Sequence, residues 1–151
     1  DVHSAAFSSS KKSLAEATAL CHPVPHAPLR LTTDASNSAV GGFLEQRVHD
    51  VWQPLGFFSR KLSDPETRYS TFDRELVGVH AAVRHFRHTL EGNSFTIRTD
   101  HKPLAQAFVG KQHPLSQRVA RQMSFVSEFN STLEYLPGGS NVVADCLSRI
   151  T

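Results

Sequence analysis

Two alternating stretches, LRLTTD (29–34) and SFTIRTD (94–100), end in the same Thr-Asp pair and flank a long amphipathic helix. Alternation of apolar and polar residues is the period-two mark of a strand. Between them Phe72, Leu76, Val79, Val83, Phe86 and Leu90 recur at three- and four-residue steps, so one apolar stripe predicts a helix over 71–90. Gly92 and Asn93 end it. A strand reached through a helix normally runs parallel to a strand already in the sheet. That constraint sets the two Thr-Asp ends side by side, since neighbouring strands lie ~4.8 Å apart.

The remaining elements fit around this unit. VGGFLEQR (40–47) and VWQPLGFF (51–58) follow the first strand after short turns, so the three are antiparallel neighbours. Pro54 and Gly56 place the third strand at an edge, and Trp52 on it is read as core. Helices are expected over 103–109 and 115–129, then a fifth strand over 131–136. PGGSN breaks the chain, and Asn141 is suited to cap a last helix carrying Val143, Leu147 and Ile150 on its apolar side. The order β-β-β-α-β-α-β-α describes an α/β fold, a mixed five-stranded sheet with three antiparallel strands, then two parallel ones, and helices packed on it.

Composition narrows the function classes. The 151 residues are room for one domain, and 16 Lys plus Arg against 14 Asp plus Glu give a net charge of +2. Neither a strongly basic nucleic-acid tail nor an acidic disordered segment is compatible with that balance. Two cysteines, Cys21 and Cys146, are too few for a disulfide framework or a thiolate zinc site. No apolar run approaches the ~18 residues of a membrane span. The opening DVHSAAFSSSKK, without Met or an apolar stretch, reads as a piece of a longer chain. Residues 1–10 are expected to be ragged and 11–21 a short helix, while HPVPHAP (22–28) reads as a linker or as a surface loop of the same domain. The chain is therefore divided into a connection remnant, 1–28, and a domain, 29–151.

The carboxylates carry the chemistry. Asp34 and Asp100 close the twin strands and face one crevice at the sheet edge. Glu75 lies at the border of the helical stripe, from where it reaches that edge, and Asp145 stands in the first turn of the last helix. Taken singly, each has a bland explanation as a turn former, a solvated neighbour of the core or a helix-start charge. Taken together they repel one another unless a cation neutralises them. Oxygen ligands select Mg²⁺ or Mn²⁺. Two such ions ~3.5–4 Å apart suit phosphodiester cleavage.

Four ordered blocks then identify a family: LTTDASNSAVGGFLEQ (31–46), PLGFFSRKLSDPETRYSTFDRELVGVHAAVRHFRHTLEG (54–92), FTIRTDHKPL (95–104) and YLPGGSNVVADCLSR (135–149). They closely resemble the ribonuclease H domain of gypsy-type LTR retrotransposon reverse transcriptases, part of a Pol polyprotein. The resemblance implies that Asp34, Glu75, Asp100 and Asp145 form the acidic catalytic and metal-binding quartet. It implies Mg²⁺-dependent endonucleolytic hydrolysis of the RNA strand of an RNA–DNA hybrid, with Mn²⁺ able to substitute and two ions present with substrate. The implied partners are the hybrid and the polymerase and connection domains of the same polyprotein, with no membrane, in the cytoplasm within virus-like particles. Cellular relatives carry a histidine before the last acid, where this chain has Tyr135. A phenol carries protons poorly near neutral pH, so Tyr135 reads first as a residue packed at its strand end and second as an orienting group for the scissile phosphate.

Asn37, Arg74, His101, Lys102, Arg118, Gln122 and Tyr135 are the candidate substrate contacts, with Arg60, Lys61 and Arg121 as further cations. Phosphate contacts supply affinity, and 2′-hydroxyls and helix shape distinguish RNA from DNA. His80, His85 and His88 read as exposed, because Arg84 and Arg87 beside them disfavour a bound cation. Two other classes stay open: a non-catalytic or domesticated module of this fold, and a two-metal nuclease or integrase acting on DNA. The intact quartet argues against the first, and TDHKPL and VVADCLSR against the second.

Overall fold

The computed structural model describes residues 22–110 and 116–149. The sequence-based expectations for 1–10, for a helix over 11–21 and for Ile150 lie outside the described residues. Strands β1 (Leu29–Ala35), β2 (Ala39–Val48) and β3 (Val51–Lys61) form an antiparallel meander. Helices α1 (Asp64–Thr67), α2 (Thr71–His85) and α3 (Arg87–Leu90) cross over to β4 (Phe95–Thr99). Then come α4 (Lys102–Val109), α5 (Gln117–Ser127), β5 (Ser131–Tyr135), a 3-10 turn (Gly138–Ser140) and α6 (Val142–Ser148). The sheet order is β3-β2-β1-β4-β5, with β4 parallel to both β1 and β5.

The sheet is therefore the mixed five-stranded one that the residue pattern describes. β3 lies at an edge, and its register against β2 shifts after Leu44, so that Glu45 pairs with Pro54 while Leu44 pairs with Gly56. The extra residue sits beside a proline that has no N–H to give the ladder.

One face of the sheet carries the core. Leu29 and Leu31 of β1, Leu44 of β2, and Phe95 and Ile97 of β4 pack against Leu76, Val79, Ala82 and Val83 of α2. Each of the larger side chains among them contributes about 1.5–3 kcal/mol by leaving water. Leu104, Val119 and Val126 extend this cluster to α4 and α5. The other face receives α6. Adjacent residues of a strand point to opposite faces, and β2 uses two adjacent glycines to admit a helix on each side. A Cβ on Gly42 would stand 3.0 Å from Ala82 Cβ of α2, and one on Gly41 would stand 2.7 Å from Leu147 Cβ of α6.

Four local readings differ from the structure. The helix expected over 71–90 breaks at Phe86, which leaves helical geometry at ψ 14°. Its ring is pressed against Gly56, where a Cβ would come within 2.7 Å of Phe86 Cε1. Asn141 precedes α6 but makes no side-chain cap; its Nδ2 instead donates to the Thr33 carbonyl at 3.2 Å. Trp52 is half-buried rather than core, lying under the Arg30 guanidinium at 4.0 Å, with Arg47 at 5.8 Å. His85 and His88 are exposed as expected, but His80 is half-buried against the Phe125 ring, 5.0 Å away.

The proline-rich segment before β1 is bonded to the sheet. Gln46 is fully buried; its Oε1 accepts from Val24 N at 2.8 Å and its Nε2 donates to the His22 carbonyl at 2.7 Å. Arg47 N also donates to the Pro28 carbonyl at 2.9 Å. A buried amide must be satisfied, and here the segment supplies its partners.

Candidate active site

The parallel pairing of β1 with β4 sets Thr33 opposite Thr99, so Asp34 and Asp100 leave neighbouring strands at one level. α2 runs over the same end of β1, where a Cβ on Gly78 would stand 3.5 Å from the Asp34 carbonyl oxygen. Glu75 lies one turn earlier on that helix and turns inward. One carboxylate oxygen from each of Asp34, Glu75 and Asp100 falls within 4.8 Å of the other two. Three elements far apart in sequence thus deliver three acids to one point.

The surroundings are dry. Asp34 is 5% exposed and Glu75 4%, while Asp100 is half-buried. Burial is the main cause that pushes Asp34 up to about 7, with the charges of Asp100 and Asp145 adding to it; the Ser148 hydroxyl and the Ala35 N–H oppose it. Burial likewise pushes Glu75 up to about 9, with Asp34 and then Asp100 adding to it. Glu75 Oε2 is buried without a hydrogen-bond partner. An orphaned carboxylate oxygen in such a place costs free energy that a cation would recover. The all-oxygen donor set with one partner-free buried oxygen therefore fits a divalent metal ion.

Asp145 stands outside this group. It lies in the first turn of α6 as expected, but it is half-buried and its Oδ1 accepts from the exposed Arg149 Nε at 2.9 Å. Its charge still reaches Asp34. Ser148, on the inward face of α6, donates from Oγ to Asp34 Oδ2 at 2.9 Å. Sequence reasoning missed this residue; its only trace is a serine three positions after Asp145, on the turn that follows it.

The candidate substrate contacts are scattered. Asn37 is exposed in the β1–β2 turn, and Lys102 is exposed at the start of α4. Arg74 is spent on the Tyr69 carbonyl at 2.7 Å, and Arg118 on Asp73 at 3.1 Å with its guanidinium 3.8 Å over the Tyr69 ring. His101 is half-buried against Phe72 with Nδ1 unpartnered, and burial holds it below the ordinary histidine range. Gln122 lines a cleft with Phe58, Arg60, Glu66, His80 and Arg84, which none of the four acids enters. Tyr135 pairs with Thr99 at the end of β5 but is 45% exposed, so it is not packed at its strand end as the sequence suggested. It lies at the end of β5, an edge strand of the sheet.

Residues 24–129 match the model of the RNase H-like domain found in reverse transcriptase. The chain belongs to that family. Over 123 residues this RNase H-like domain is 39% identical to the Transposon Tf2-3 polyprotein of Schizosaccharomyces pombe (strain 972), a match covering 80% of the chain and 9% of the polyprotein. It therefore spans about a tenth of the curated relatives it matches. Among solved structures it is similar to the native prototype foamy virus protease-reverse transcriptase, with TM-score 0.67 and 17% identity over 83% of this chain and 18% of that one. It is also similar to the N-terminal RNase H domain of rv2228c from Mycobacterium tuberculosis, with TM-score 0.60 and 18% identity over 80% and 90% of the two chains. The RNase H1 of Halobacterium salinarum gives 0.59 and 12% over 80% and 92%. At these identities the structures establish the RNase H-like fold. No helix among the described residues is long and apolar enough to cross a membrane.

Proposed function

We propose that this domain is a metal-dependent endonuclease that hydrolyses the RNA strand of RNA–DNA hybrids during reverse transcription, as one part of a retrotransposon polyprotein. The observation that carries the reading is the meeting of Asp34, Glu75 and Asp100 within 4.8 Å in a buried setting, with one Glu75 oxygen left without a partner. Family membership and the likeness to polyprotein relatives support the same conclusion.

In this reading Asp34, Glu75 and Asp100 hold Mg²⁺, with Mn²⁺ able to replace it, and Asp145 joins them from α6. Bound divalent ions supply an activated water and stabilise the leaving oxygen of the phosphodiester. The protein's own share is positional. The β1–β4 pairing fixes the spacing of the two aspartates, α2 excludes water behind Glu75, and α6 closes the far side of Asp34. Asn37, His101 and Lys102 are the proposed contacts with the hybrid backbone, and Arg74 and Arg118 contribute only after leaving their present neighbours. The polymerase and connection domains of the same polyprotein supply further grip, since a net charge of +2 binds a phosphate backbone weakly. The expected setting is cytoplasmic, within virus-like particles.

The test is labelled RNA–DNA hybrid incubated with the chain in Mg²⁺, in Mn²⁺ and in EDTA, beside single-stranded RNA and duplex DNA. Cutting of the hybrid's RNA strand alone, abolished by EDTA, is the expected result. Equal cutting of duplex DNA would transfer the proposal to a DNA nuclease of the same fold.

Tyr135 gives a graded expectation. Its exposed ring can orient a phosphate through the hydroxyl, but general acid–base help is worth ~10²–10⁴-fold and a phenol delivers less than that range. Tyr135→Phe should therefore lower cleavage by less than about tenfold, with melting and metal dependence unchanged. A loss of cleavage as complete as that of a metal-ligand variant would show that the tyrosine acts in the chemistry.

A further inference from the structure

α6 is fastened to the sheet at both ends. At its start Asn141 Nδ2 donates to the Thr33 carbonyl at 3.2 Å. At its end Ser59 Oγ donates to the Leu147 carbonyl at 2.6 Å, and Ser36 Oγ donates to the Ser148 carbonyl. These hydroxyls take up carbonyls that the last turn of a helix leaves without partners. Gly41 lets the helix backbone lie directly on β2, where a Cβ would stand 2.9 Å from Ser148 N. The outcome is that Ser148 is fully buried, with Oγ 2.9 Å from Asp34 Oδ2.

Ser148 Oγ has a second acceptor, the Asp145 carbonyl three residues back, also at 2.9 Å. A hydroxyl carries one proton, so the two acceptors compete for it. Bonding to the helix carbonyl alone is the ordinary behaviour of a serine in a helix. An ionised carboxylate is the stronger acceptor, because a hydrogen bond to a charged group is about twice as strong as a neutral one. Once Asp34 is ionised, the proton therefore belongs to Oδ2.

We infer that Ser148 is a positioning residue: its hydroxyl tethers Asp34 Oδ2 and sets the plane in which that carboxylate meets Glu75 and Asp100. The inference rests on the reading of Asp34 as a metal ligand. It also gives α6 a task separate from Asp145. The helix holds Asp145 beside Arg149 and, one turn on, directs the Ser148 hydroxyl to the buried aspartate. Donors to metal-binding carboxylates act by orienting them, and their loss typically costs ~10–100-fold in metal affinity or activity.

The experiment is Mn²⁺ binding followed by electron paramagnetic resonance on the parent chain, Ser148→Ala and Ser59→Ala, with the urea midpoint of each measured without metal. Ser59 fastens the same end of α6 through Leu147, so its variant reports loosening of the helix alone. Ser148→Ala should weaken Mn²⁺ binding about tenfold, while Ser59→Ala lowers the urea midpoint and binds Mn²⁺ as the parent does. Should Ser148→Ala not fold, Ser148→Gly removes the same hydroxyl without adding bulk and carries the same expectation. Parent-like binding by the Ser148 variant, or equal weakening in Ser59→Ala, would overturn the positioning role and leave the metal reading standing. A parent chain that binds no Mn²⁺ would overturn the metal reading itself.

Discussion

Asp100→Asn is expected to remove hybrid cleavage while leaving the domain folded. The substitution preserves shape and takes one negative charge from a group whose oxygens lie within 4.8 Å of one another. Two consequences follow with opposite signs. Cation binding loses a direct ligand, which should cost more than the ~10–100-fold typical of an outer-shell partner; a loss on the order of 10³-fold, or to below detection, is expected. Stability without metal should not fall, because the Asp100 charge is one of the causes that push Asp34 and Glu75 up. Removing it relieves repulsion in a site where burial already penalises every ionised carboxylate. Hybrid cleavage and thermal melting measured side by side distinguish this from simple unfolding. Near-parent cleavage by Asp100→Asn would remove the active-site assignment. A melting temperature well below the parent's would show that Asp100 holds structure rather than a cation.

The order of the strands and the meeting of Asp34 with Asp100 were legible because both follow from short-range rules. Alternation marks β1 and β4, and the helical stripe between them makes the pair parallel. Glu75 was legible from its place beside that stripe, although its burial exceeds what a border position implies. Other features depend on contacts between distant segments, and periodicity carries no trace of them. Phe86 continues the stripe by spacing, yet Gly56 on β3 opens the gap that takes its ring, and the helix ends there. Asn141 has the right identity and position for a cap, but the Thr33 carbonyl 108 residues earlier in the chain competes successfully for its amide. Trp52 suggests core by its size alone, whereas an edge strand flanked by Arg30 and Arg47 offers it two guanidiniums instead. The tether from Ser148 to Asp34 joins residues 114 apart, and it exists only because glycine at position 41 lets α6 approach.

The metal-free domain is expected to lose stability as pH rises from about 6.5 to 9, and saturating Mn²⁺ or Mg²⁺ is expected to reverse the trend. Asp34 stands at about 7 against an ordinary 3.8, and Glu75 at about 9 against 4.5. A carboxyl raised by folding binds its proton more tightly in the native state than in the unfolded one. Its contribution is complete below the unfolded value and is lost as pH climbs through the folded value. His80 and His101, held below the ordinary 6.5 by burial, act in the opposite direction only below that pH. Glu66, lowered to about 2 chiefly by its hydrogen bonds from Arg60, matters only in acid, below its ordinary 4.5. The upper window therefore belongs to the two buried acids. Between about pH 6.5 and 9 the native Glu75 keeps its proton over roughly two pH units in which the unfolded chain has lost it, worth about 3 kcal/mol, and at ~2–4 °C per kcal/mol for a domain of this size the melting temperature should drop by roughly 6–12 °C. A divalent ion competes with the same protons and binds more tightly as they leave, so the metal-bound protein should hold or gain stability over this range. Glu75→Gln is neutral at every pH and should flatten the metal-free slope. Melting curves at several pH values, in EDTA and in Mn²⁺, for the parent and Glu75→Gln, provide the check. Identical slopes for the two proteins in EDTA would mean that Glu75 is already ionised near neutral pH, and that repulsion among the carboxylates is not what a cation is needed to relieve.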